Sequence, residues 1–87
     1  MLKPKKISQK QLEIENMILD YLIDTKDPQS FESIRAWTKQ KCRYASGEDI
    51  CWCLEDLIQQ NIVTMHLLYG VSGTMIGYQY AGWDKTL

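Results

Sequence analysis

Eighty-seven residues make one domain and leave too little chain for two. Apolar residues at 45% and charged residues at 24% match ordinary globular chains, which sets aside disordered and fibrous classes. Ten Lys and Arg against eleven Asp and Glu leave a net charge of −1, so only the distribution of charge, not its total, can argue for a nucleic-acid partner.

Residues 1–7 (MLKPKKI) read as a basic arm. No apolar stretch follows them, so a secretory signal is not expected. The longest apolar runs are a few residues, far below the roughly 18 that suggest a membrane span. Three cysteines, Cys42, Cys51 and Cys53, are an odd number for a small disulfide scaffold. A soluble chain in a reducing cytoplasm is the expectation.

Ser8-Gln9-Lys10-Gln11 has the form of a capping box. After it, Ile14, Met17, Ile18, Tyr21 and Leu22 recur at helical spacing, which predicts a helix over 9–24. Thr25 to Ser30 reads as a turn, because Asp27-Pro28 disfavours helix. Ser30 then caps a second helix over 31–40 with Phe31, Ile34 and Trp37 or Thr38 inside. Lys41 to Ala45 is a polar connection. Ser46, with Glu48 and Asp49 in the first turn, starts a third helix over 47–60, with Ile50, Cys53 or Leu54, Leu57 and Ile58 inward. Asn61 is its left-handed stop.

Beyond Asn61 the period changes to two. Val63, Met65, Leu67 and Tyr69 alternate with Ile62, Thr64, His66 and Leu68, and Thr74 to Ala81 returns after the turn Gly70-Val71-Ser72-Gly73. Pairing Tyr69 with Thr74 sets Leu67 opposite Ile76, Met65 opposite Tyr78 and Val63 opposite Tyr80, placing the apolar partners on one face. A one-residue slip would split them between faces. The tyrosines 69, 78 and 80 are then hairpin packing. Residues 82–87 form a short tail.

Three helices, a short second-to-third connection and a hairpin follow the order of a winged helix. Ser30 to Ala81 resembles that family, through Phe31-Glu32-Ser33-Ile34 opening the second helix, Leu54-Glu55-Asp56-Leu57-Ile58-Gln59-Gln60-Asn61-Ile62-Val63 closing the third, and Gly77-Tyr78-Gln79-Tyr80 on the return strand. With helix one, the resemblance spans residues 8–81, an α+β three-helix winged helix-turn-helix with a C-terminal hairpin wing. It implies a third helix in the major groove and a hairpin on the backbone or in the minor groove. This chain departs from that pattern. Ser46 to Asn61 holds four carboxylates and no Lys or Arg, and the hairpin has no basic residue except His66 if protonated.

The candidate DNA-binding residues are therefore Lys39, Lys41, Arg43 and Tyr44 before the third helix, with Ser46, Ser72 and Gly73 for backbone contacts. Lys3, Lys5 and Lys6 form a second cluster suited to an arm. A solvated helix end and a solubilising tail are the bland alternatives for the two clusters. Cys51, Trp52 and Glu55, off the inner stripe of the third helix, are candidate partner-binding residues, since exposed aromatics concentrate in interfaces. Packing of Trp52 beneath the hairpin or first helix stands equally open. Cys42, Cys51, Cys53 and His66 are zinc-ligand types in an unsuitable spacing, with no Cys-x₂-Cys pair. No nucleophile with an orienting partner, carboxylate pair or phosphate loop is evident, so no enzyme, cofactor or metal site is expected. The reading is a DNA-binding transcriptional regulator, dimeric in one form of it. The alternative is a winged helix that binds another protein instead of DNA.

Overall fold

The computed structural model describes residues 8–71 and 73–86. The basic cluster at Lys3, Lys5 and Lys6 and the wing-turn residue Ser72 lie outside them. Helix α1 runs Gln9–Thr25, strand β1 Gln29–Ser30, α2 Phe31–Lys41, α3 Gly47–Gln59, β2 Val63–Gly70 and β3 Gly73–Tyr80, followed by a 3₁₀ turn at Ala81–Trp83. Three helices and an antiparallel three-stranded sheet make an α+β winged helix-turn-helix, with the sheet ordered β1-β3-β2. Among the described residues, no helix is long and apolar enough to cross a membrane.

Each helix begins where a serine satisfies backbone donors that the helix itself leaves free. Ser8 and Gln11 form a reciprocal capping box on α1, and Ser46 and Asp49 form another on α3. Ser30 Oγ accepts from the Ser33 backbone N–H at 3.1 Å. Such a cap contributes about 1 kcal/mol. Helix α3 stops at Gln59, and the left-handed Asn61 (φ 61°) turns the chain into β2.

The core is the meeting of three helical stripes. Ile14, Ile18 and Leu22 from α1 face Ile34 and Thr38 from α2 and Ile50, Cys53, Leu54 and Leu57 from α3, with Val63 closing the base of the sheet. Cys53 and Leu54 are both buried, while Ile58 is half-buried at the margin. On the outer side of this packing, the Tyr21 and Trp37 rings stack with centroids 5.0 Å apart and lock α1 to α2.

The hairpin register is the expected one, from Val63 opposite Tyr80 to Tyr69 opposite Thr74. Three other expectations need correction. The segment Thr25–Ser30 is not only a turn: Gln29 and Ser30 pair with Tyr78 and Gly77 as a third strand. A two-residue strand is too short to carry a period of its own. The tail, secondly, packs back on the fold. Trp83 donates its indole N–H to the Ile23 carbonyl at 3.0 Å, and Asp84 is buried against His66.

Thirdly, the apolar face of the wing is not packed beyond its base. Val63 is buried and Tyr78 and Tyr80 lie against the core, but Met65, Leu67 and Tyr69 are 54%, 63% and 81% exposed. The reason is length. Eight residues at about 3.4 Å each span roughly 27 Å, more than the roughly 20 Å of the thirteen-residue α3. The opposite face is covered toward its base, where Leu68 crosses Gly77 toward Pro28 and the Gln79 side chain donates to the Lys26 carbonyl at 2.7 Å, while Met75 nearer the tip is exposed.

Candidate functional site

Two surfaces flank α3, its entry beside α2 and the groove between the helix and the wing. The entry is basic on its α2 side. Arg35 and Lys39 sit one helical turn apart on the exposed side of α2. A Cβ on Gly47 would lie 3.8 Å from the Arg35 Nε, which places the guanidinium beside the first turn of α3. Arg43 is exposed in the connection between these helices.

Arg35 is absent from the cluster that the sequence suggests. Its i, i+4 spacing to Lys39 is the available signal, but contiguity along the chain favours Lys41. The structure separates Lys41 from the others: its Nζ lies 5.7 Å from the centre of the Trp37 ring, on the α1 side of α2. Tyr44 also turns toward α1, donating its hydroxyl to Glu13 Oε2 at 2.8 Å with Lys10 over its ring. The Ser46 hydroxyl is engaged in the capping box of α3, 3.0 Å from Asp49 Oδ2.

Asp49 is also paired with Lys10 at 3.0 Å. Hydrogen bonding from the Ser46 backbone, then from Lys10, holds its carboxyl below the usual carboxylate range. Glu48 and Glu55 remain exposed along α3, and no Lys or Arg accompanies them on that helix. The outward face of α3 is therefore acidic. The hairpin offers no counterweight, because the chain holds no Lys, Arg, Asp or Glu from Ile62 to Trp83. Gly73 stands at the wing tip with φ 119°, a conformation that suits glycine.

Between α3 and the wing runs a groove of about 300 Å³, lined by Cys51, Leu54, Glu55, Ile58, Met65 and Tyr78 among others. Two of the three sequence-derived partner residues, Cys51 and Glu55, border it. The Cys51 thiol points at Glu55 Oε1 at 3.9 Å. Trp52 is half-buried and packed against the core, beside a small recess that also touches Glu55 and Asp56.

Burial pushes the Cys53 thiol up to about 12, so it stays protonated. An open recess of about 450 Å³ lies on the covered face of the sheet. Within it, His66 Nε2 sits 3.0 Å from Asp84 Oδ2 and 3.1 Å from Thr64 Oγ1. Thr86, then Thr64, hold the Asp84 carboxyl down to about 2 by hydrogen bonding. Among the described residues, no group of three or more His, Cys, Asp or Glu is placed to hold a metal ion.

No family model matches the chain, and the curated proteins give no match. Among solved structures, the reduced form of the transcriptional regulator YodB from B. subtilis superposes with a TM-score of 0.58 at 20% identity, covering 92% of this chain and 74% of its own. At that identity the likeness is one of fold.

Proposed function

We propose that this chain is a winged-helix transcriptional regulator that meets double-stranded DNA with the entry of α3, in the cytoplasm and without catalytic activity. The observation that carries this reading is the Arg35 guanidinium beside the first turn of α3. Lys39 and Arg43 are exposed on the same approach, so cations and the positive end of the α3 dipole share one rim. The fold shared with YodB supports the regulator class. The acidic outward face of α3 opposes a lengthwise seat in the major groove, so the contact is end-on, with phosphates held by the rim. A homodimer would double those contacts.

The test is binding of the chain to duplex DNA over a salt series. Changing Arg35, Lys39 and Arg43 together to Gln should weaken binding and reduce the slope of log K against log salt by roughly 2 to 3, about 0.9 for each phosphate no longer neutralised. Failure of the parent chain to bind duplex even at low salt would overturn the reading.

A second reading is favoured by a specific observation, the groove of Cys51, Leu54, Ile58, Met65 and Tyr78 beside an acidic helix face. In it the domain takes an amphipathic segment of another protein and binds no DNA. Met65→Lys would block that groove and leave the basic rim untouched, so the two readings lose binding to different variants.

A further inference from the structure

We propose that the open edge of β2 is the surface through which two copies of this chain join their sheets, pairing β2 against β2 antiparallel about a two-fold axis near Leu67. Strand β2 is the outer strand of the β1-β3-β2 sheet. The Ala81 N–H donates to the Ile62 carbonyl at 2.8 Å, so position 62 bonds toward β3. By the alternation of an antiparallel ladder, Thr64, His66, Leu68 and Gly70 also bond toward β3. The N–H and C=O groups of Val63, Met65, Leu67 and Tyr69 then point outward. Among the described residues, no hydrogen bond outside the hairpin engages them.

An exposed strand edge of this length is normally protected by a charge, a proline or a bulge. This edge has none of the three: β2 reads VTMHLLYG, in unbroken register with β3. The other side of the hairpin is less available, because β1 already pairs with Gly77 and Tyr78.

The occupant follows from symmetry and charge. A two-fold pairing about Leu67 sets each position against the one equally far on the other side of the axis, so a charge on the edge would enter the seam with no opposite charge to meet it. The absence of Lys, Arg, Asp and Glu from Ile62 to Trp83 removes that conflict, and a net charge of −1 per chain adds little repulsion at longer range. About an axis at Leu67, Met65 of one copy faces Tyr69 of the other, a sulfur–aromatic contact, and Leu67 faces Leu67. The same three side chains are exposed on the wing face, together with Ile76 of β3. Joining the two edges doubles the three-stranded sheet and sets this apolar row side by side with its own copy. The pairing does not depend on DNA binding.

Sedimentation equilibrium from micromolar to millimolar chain, with amide hydrogen exchange followed residue by residue, tests this. The expected result is the mass of two chains, with exchange at the Met65, Leu67 and Tyr69 amides slowing as the dimer fills. Leu67→Lys should stay monomeric with an unchanged far-ultraviolet spectrum, since the side chain is exposed in the single chain. A monomer throughout the range overturns the proposal. So does a dimer in which those three amides exchange as freely as they do on dilution. Should Leu67→Lys fail to fold, the exchange pattern of the parent chain decides by itself.

Discussion

Glu15 sits on α1 with 5% of its surface exposed, and its Oε2 has no hydrogen-bond partner. Burial first, then the neighbouring Asp56 carboxyl, raises it from an ordinary 4.5 to about 7. The folded chain therefore holds a proton that the unfolded chain has released between those values, and stability falls as pH rises through that window. The size is on the order of 3–4 kcal/mol at most, from about 1.4 kcal/mol per unit of pH. Denaturant melts at the two ends of the window should show this loss in the parent chain and little of it in Glu15→Gln. Equal slopes in both would remove Glu15 as the cause. Asp84, held down to about 2 mainly by Thr86, acts in the opposite sense: its contribution is complete above its ordinary 3.8 and is lost as pH falls toward 2.

At the scale of elements, the sheet depends on a close crossing at Gly77. A Cβ there would stand 2.6 Å from Leu68 Cδ1 and 3.0 Å from Pro28 Cβ. Leu68 can rotate, but Pro28 is rigid and leads directly into β1. Gly77→Ala should therefore push β1 from β3, at a cost of roughly 1–3 kcal/mol for an overpacked site. The amide exchange of residues bonded across β1 and β3 should rise more than that of the β2–β3 ladder. A uniform loss across the whole domain would instead locate the strain elsewhere. The helices carry less tension of this kind, since each serine cap is supplied from within four residues of the helix start.

At the scale of the molecule, one core serves all the elements, and Leu57 is at its centre with 1% of its surface exposed. Leu57→Ala should destabilise by roughly 2–5 kcal/mol through lost burial and an unfilled cavity. That is a large share of the stability of a small domain, so a thermal melt indistinguishable from the parent would show the core misassigned. Charge is distributed on the same scale. Arg35, Lys39 and Arg43 are exposed about the entry of α3, four carboxylates lie along that helix, and no Lys, Arg, Asp or Glu falls from Ile62 to Trp83.

Local signals determined much of this protein. The serine caps, the i, i+3, i+4 stripes and the two-residue alternation of the hairpin depend on near neighbours in the chain, so Ser8, Ser30, Ser46 and the Val63–Tyr80 register were legible without coordinates. The neutral stretch from Ile62 to Trp83 was legible too. Only the tertiary structure decided which wing face would be covered, because that depends on where α3 ends and where the tail returns, and neither leaves a period in the sequence. It also turned Gln29 and Ser30 into a strand, buried Glu15 beside Asp56, and set Arg35 rather than Lys41 at the entry of α3. These are contacts between residues distant in the chain, and their outcome is fixed by the packing of whole elements rather than by the preference of any one residue.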